Sequence, residues 1–212
     1  MTALRICFVG DSLINGTNDE EFQGWPGRLC AAECARGHEL TYYNLGVRAE
    51  TSEQIEMRWR AECEPRLLDI HPGALVFSFG VNDMAIENSG EVRVSRQRSL
   101  EVAKKMLGQA QQWKPTLWIG PVPVDETQQP FQSAPGVAYH FSTGRMAELC
   151  RDYETLAAEM GIPYLKLIEP LAGEKVWQES FRQGDGVHPA GPGYQLMADR
   201  ISTWTAWRNW LD

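Results

Sequence analysis

Positive charge is scarce in this chain. Lys and Arg number 20 against 28 Asp and Glu, which leaves a formal net charge of −8. No basic cluster offsets that balance, so repulsion from a phosphate backbone makes nucleic acid an unexpected partner. Cysteine is sparse and unpatterned. The five thiols (Cys7, Cys30, Cys34, Cys63, Cys150) are an odd number without C-x-x-C spacing, which argues against a disulfide framework or zinc site and for a reducing compartment. Long apolar runs are missing too, and none approaches the ~18 residues of a membrane span. The stretch Met1–Arg5 leads straight into a short apolar run ending in Gly10-Asp11, without the h-region of a signal peptide, so a cytoplasmic location is expected. There is no internal repeat and no low-complexity linker.

What is present fits an ordinary folded chain. Hydrophobic residues make up 43% and charged residues 23%, enough to bury a core and too apolar for disorder. At 212 residues the expectation is one domain over residues 1–212. Short apolar runs alternate with longer helical patterns. Strands are expected at 4–10, 40–45, 74–79, 116–119 and 162–167. Helices are expected at 25–36, 49–68, 92–113, 142–160 and 193–211. Alternation of this kind predicts βαβ units, hence a five-stranded parallel sheet in a flavodoxin-like order with helices on both faces. Residues 121–140, rich in Pro, Gln, Ser and Gly, read as an irregular stretch. Its position after the fourth strand places it over the carboxyl edge of the sheet, where ligands bind in open α/β folds.

The polar residues just beyond the predicted strand ends carry the chemistry. They are Gly10-Asp11-Ser12-Leu13, Asn44-Leu45-Gly46 and Gly80-Val81-Asn82-Asp83, joined by Asp185-Gly186-Val187-His188 in the last crossing before the final helix. Together they supply the parts of acyl transfer. Ser12 is a hydroxyl in need of a base, His188 is the candidate base, and Asp185 is close enough in sequence to orient it. The N–H of Ser12, the N–H of Gly46 and the Asn82 amide are candidate oxyanion donors. Asp11 and Asp83 are expected to support turns and neighbouring amides. His140, within the irregular stretch, is a candidate pocket residue. Neither a phosphate-loop nor a dinucleotide fingerprint is present, and the turn is not the Gly-x-Ser-x-Gly elbow.

These ordered blocks resemble the SGNH hydrolases, also called the GDSL esterase/lipase family. Gly10-Asp11-Ser12-Leu13 matches the first block, Gly46 the second block's glycine, Gly80-x-Asn82-Asp83 the third, and Asp185-x-x-His188 the last. The resemblance implies a three-layer α/β/α sandwich and a serine mechanism needing no metal or cofactor. Ester or thioester bonds are the implied target. Small soluble short-chain acyl or aryl esters are the expected substrates. A lysophospholipase or thioesterase, a carbohydrate acetylesterase, and a non-catalytic binding domain on the same fold are the alternatives. Among eight tryptophans, Trp204, Trp207 and Trp210 fall on one terminal helix and cannot obviously all face the core, which raises a homodimer contact there.

Overall fold

The computed structural model describes residues 3–182 and 184–211. In chain order the elements are β1 (Leu4–Gly10), α1 (Ser12–Asn15), α2 (Gly24–Ala35), β2 (Leu40–Gly46), α3 (Ser52–Cys63), β3 (Gly73–Ser78), α4 (Arg96–Trp113) and β4 (Thr116–Ile119). There follow a 3₁₀ turn (Glu126–Gln128), β5 (Phe131–Ala134), β6 (Val137–Tyr139), α5 (Thr143–Met160), β7 (Tyr164–Leu165), α6 (Ile168–Ala172), α7 (Lys175–Glu179), α8 (Gly191–Ser202) and α9 (Thr205–Arg208).

A parallel sheet in the order β2-β1-β3-β4-β7 forms the middle layer. Every residue of β3 is buried, as a strand covered on both faces requires. Packing of α2 against α8 covers one face, while α3, α4 and α5 follow one another across the other. The three-layer α/β/α architecture expected from the alternation is therefore the one found.

The register determines where chemistry can occur. Gly10 pairs with Gly46 on one side and Ser78 on the other, so β1, β2 and β3 end level with one another. The segments that follow them emerge side by side. Gly10 has no alternative at this junction, because a Cβ there would lie 2.0 Å from the Ser78 carbonyl oxygen.

Four sequence expectations need adjustment. The third helix begins at Ser52, not residue 49, because 49–51 form a loop that Thr51 closes by donating its N–H to Gln54 Oε1 at 2.9 Å. The fourth begins at Arg96, capped by Ser95. The fifth sheet strand shrinks to Tyr164–Leu165, the residues that reach β4. The terminal helix is broken after Ser202. There the Ser202 and Thr203 hydroxyls donate back to the Asp199 and Arg200 carbonyls, and side chains bonding in this way compete with helix continuation. The break turns α9 inward. Trp207 is fully buried against Phe8, and Trp204 and Trp210 pack against the same core, so all three rings find partners within one chain.

Candidate active site

β1 delivers Ser12 as the first residue of α1, with Asp11 as its N-cap accepting the Leu13 N–H at 2.9 Å. The final loop delivers the rest. His188 Nε2 lies 2.7 Å from Ser12 Oγ, and His188 Nδ1 lies 2.7 Å from Asp185 Oδ2. Residues separated by 176 positions thus form one hydrogen-bonded line. Asp185 also organises its own loop, its Oδ1 accepting the Val187 and His188 N–H groups at 2.9 and 2.8 Å. Burial alone would raise the Asp185 pKa. The His188 ring and the two amides outweigh it and lower the carboxyl to about 2. Asp185 therefore remains a carboxylate at any working pH, an acceptor for the Nδ1 proton of His188.

A second loop buttresses this one. Gly186 sits at φ +76°, its carbonyl accepts the Asp125 N–H at 2.8 Å, and a Cβ there would meet Gln128 Cβ at 2.7 Å. Gln128 in turn donates to Asp125 Oδ2 and the Phe181 carbonyl. The 3₁₀ turn thus clamps the Asp185–His188 segment from outside.

Asn82 follows β3. Its Nδ2 donates to the Glu50 carbonyl at 3.0 Å and to Asp11 Oδ2 at 3.2 Å, which fixes the orientation of the amide. Asp11 itself is buried. Desolvation raises it most, the Leu13 N–H, the His188 charge and the Asn82 amide pull it back, and its pKa stands at about 6. Asp83 is also buried, accepting from the Ser52 N–H at 2.8 Å and from the Ser99 hydroxyl, and burial pushes its pKa up. Ser99 shares a hydrogen bond with Tyr153, which links α3, α4 and α5 to the loop behind Asn82.

One expected oxyanion donor, Gly46, and the expected pocket residue, His140, lie outside the cavity lining. Gly46 does not line the cavity, because its N–H is spent on Asn44 Oδ1 at 3.0 Å and a Cβ there would strike the Asn15 backbone at 2.2 Å. Its role is packing of β2 against α1. The residue that does reach the cavity is Ala49, held at φ +64° in the left-handed region. Its carbonyl accepts from Arg93 Nη1 at 2.8 Å, and its N–H has no acceptor among the described residues. His140 likewise points away. It is exposed and exchanges backbone bonds with Ile86 at 2.9 and 3.0 Å, while its neighbours Tyr139 and Phe141 line the cavity. Successive side chains of extended backbone face opposite ways, so only one of the two sets can face inward.

The stretch read as irregular is an antiparallel β5–β6 hairpin. With Phe131, Ser133 and Tyr139 it roofs a cavity of about 270 Å³ whose floor is Ser12, Asn82 and His188. The Phe131 ring stands edge-on to the His188 imidazole at 5.8 Å. A wider groove of about 840 Å³ between α4 and α5 holds none of the ordered motif residues. Alternation in Val137–Phe141 was a readable sign of the hairpin. Nothing in the sequence marks Ala49, since a non-glycine residue at positive φ has no compositional signature.

The profile of the GDSL-like lipase/acylhydrolase family matches residues 8–196, nearly the whole chain and all four site segments. The chain belongs to this family. Among solved structures it is similar to a lipase/acylhydrolase from Enterococcus faecalis, at 21% identity and a TM-score of 0.75 over 96% of both chains. It is also similar to the psychrotrophic esterase EstA from Pseudoalteromonas, at 14% identity and a TM-score of 0.68 over 97% of both. At these identities the likeness is one of fold. Among curated sequences, the Bacillus subtilis lipoprotein YqeF is 36% identical over 97 residues, a match that spans 43% of this chain and 37% of that protein. The family to which the chain belongs is one of lipases and acylhydrolases.

Proposed function

We propose that this chain is a serine esterase that works through an acyl-enzyme. The observation that carries the reading is the Ser12–His188–Asp185 line, with both contacts at 2.7 Å. Ser12 Oγ attacks the ester carbonyl as His188 Nε2 takes its proton. The same Nε2–H then protonates the departing alcohol or thiol. Water enters, gives its proton to His188 and attacks the acyl group, which leaves as the acid with Ser12 restored. Asp185 holds the proton on Nδ1 throughout and stabilises the imidazolium.

The tetrahedral oxyanion needs donors fixed in advance. We assign the Ser12 N–H, the Ala49 N–H in place of Gly46, and Asn82 Nδ2. The first has no intrahelical acceptor because it opens α1. The second has none among the described residues. Asn82 keeps its 3.0 Å bond to Glu50, and the oxyanion takes the hydrogen that now makes the longer contact to Asp11.

A cavity of about 270 Å³ is at the small end for ligand sites, which supports short acyl or compact aryl esters over long-chain lipids. Hydrolysis of p-nitrophenyl acetate, butyrate and octanoate by wild type and Ser12→Ala, with fluorophosphonate labelling read by intact mass, tests this reading. The expected result is a Ser12-dependent adduct, turnover of the shorter esters, and kcat lower by at least about 10⁴ in Ser12→Ala. Octanoate as the best substrate would favour a lysophospholipase or thioesterase. Neither adduct nor turnover from folded protein would leave a binding domain.

A further inference from the structure

The arginines of this acidic chain are mostly paired. Arg28, Arg58, Arg96 and Arg98 each face two carboxylates. Arg48 is different. It is exposed at the mouth of the catalytic cavity and has no ion pair or hydrogen bond among the described residues. Arg93, the guanidinium that bonds the cavity-lining Ala49, is by contrast committed to the Ala49 carbonyl, the Glu87 carboxylate and the face of Tyr139.

Arg48 also lines a second, outer cavity of about 550 Å³ formed by the loop between α1 and α2. That loop is built rigidly. Asp19, only 3% exposed, accepts the N–H groups of Glu21, Gln23 and Gly24 and a two-pronged contact from Arg28. The result is Phe22 held at φ +58° and 91% exposed, an apolar edge to the cavity. A bulky side chain at positive φ is strained, and strain held by surrounding contacts is characteristic of working surfaces. The two acids that share this cavity do not neutralise Arg48. Asp19 is saturated as described, and Glu20 Oε2 accepts the Gly191 N–H at 3.0 Å.

We propose that Arg48 recognises an anionic group, a carboxylate or a phosphate, carried by the ester substrate outside the scissile bond. The arm bearing that group extends from the catalytic cavity into the outer one along Phe22. A chain of net charge −8 repels such a substrate at long range, so an unpaired cation at the mouth is what admits it. The proposal rests on the esterase reading of the same site.

The test uses matched ester pairs that differ in charge and little in size. On the acyl side these are mono-4-nitrophenyl glutarate and 4-nitrophenyl pentanoate. On the alcohol side they are 3-acetoxybenzoate and 3-acetoxybenzamide, with 3-acetoxyphenyl phosphate against 3-acetoxyphenyl methanesulfonate as the phosphate arm. In at least one pair, Arg48→Gln is expected to lower the anionic-to-neutral ratio of kcat/KM by about tenfold, with Arg48→Glu lower still and Arg48→Lys partly restoring it. The pair that responds identifies the side of the ester and the kind of anion. If neutral esters turn over and no ratio moves by more than twofold, the role of Arg48 is overturned while the esterase reading stands. If no ester turns over and Ser12 is not labelled, the esterase reading fails. Calorimetric binding of 3-acetoxyphenyl phosphate and 3-acetoxybenzoate to Ser12→Ala then decides the anion site. Weaker binding after Arg48→Gln keeps it, and equal or absent binding removes it.

Discussion

Ser12, Asp11 and Asn82 illustrate how much three adjacent polar groups constrain one another. Asn82 Nδ2 is shared between Glu50 and Asp11 at rest, so its contribution to an oxyanion is a difference between bonds. Asn82→Ala is expected to lower kcat by ~10²–10³ with a smaller change in KM, as loss of one oxyanion donor does. Steady-state kinetics on the best ester checks this, and an unchanged kcat would remove Asn82 from the oxyanion site. Asp11 predicts a pH effect on stability rather than on chemistry. Its folded pKa of about 6 lies above its ordinary 3.8, so the native state holds this proton more tightly than the unfolded chain does. The corresponding stability is complete below pH 3.8 and lost as pH rises through about 6, on the order of 2–3 kcal/mol. Asp83, raised by burial in the same direction, adds to that slope. Denaturant titrations of wild type should therefore show stability declining from pH 4 to 6.5, and Asp11→Asn, which keeps the N-cap acceptor, should flatten the decline. A parallel decline in both proteins would mean that Asp11 is already ionised in that range. At this scale Ser12 and Asn82 were legible because each follows a predicted strand, and Asp185 and His188 because they share one short loop ahead of the final helix. Ala49 was not, since its place depends on how the chain turns after β2.

The loop between β2 and α3 is the element on which the site depends most. Ala49 sits in it at positive φ, a conformation an L-residue keeps only when its neighbours impose it. Arg93 holds the Ala49 carbonyl, Asn82 holds that of Glu50, and Asp83 takes the Ser52 N–H that opens α3. Arg93 touches no reacting atom and is a positioning residue. Arg93→Met, which keeps much of the stem packing on Tyr139, is expected to reduce kcat about tenfold or more while KM moves less, because a misplaced donor is felt in the transition state. Guanidinium added to the assay should restore part of the loss. A fall in thermal stability with unchanged kcat would make Arg93 merely structural. The β5–β6 hairpin shows the limit of local reading. Its residues are polar and rich in turn formers, and only their pairing turns Phe131, Ser133 and Tyr139 into the roof of the cavity.

Across the whole molecule, buried polar contacts tie helices to one another alongside the apolar packing. Glu33 of α2 is fully buried and accepts from Arg208 Nη1 at 2.8 Å on both oxygens, from Arg36 at 2.8 Å and from Trp207 Nε1 at 3.3 Å. This cluster anchors the turned-in terminal helix α9 against α2. Glu33→Ala leaves a buried indole N–H without its acceptor and removes the Glu33 contacts of the Arg208 guanidinium. Arg208 is 24% exposed and can turn toward water, so the expected loss is at the low end for a broken buried pair, about 3 kcal/mol by chemical denaturation. A loss below about 1 kcal/mol would show that α9 contributes little to global stability. Because the cluster is remote from Ser12, the specific activity of the folded variant should be retained.

The layered α/β architecture and the order of the four motif blocks were determined by the sequence itself. Hydrophobic periodicity follows from local geometry, and parallel strands with right-handed crossovers bring all four blocks to one edge of the sheet. The tertiary structure alone decided which residue after β2 lines the cavity, which way His140 and its neighbours turn, and where the tryptophans of the last helix lie. Each of these depends on contacts between residues tens of positions apart, such as Arg93 on Ala49, Ile86 on His140 and Glu33 on Arg208. No local pattern of residues encodes such contacts, because their free energy exists only once the chain has folded around them.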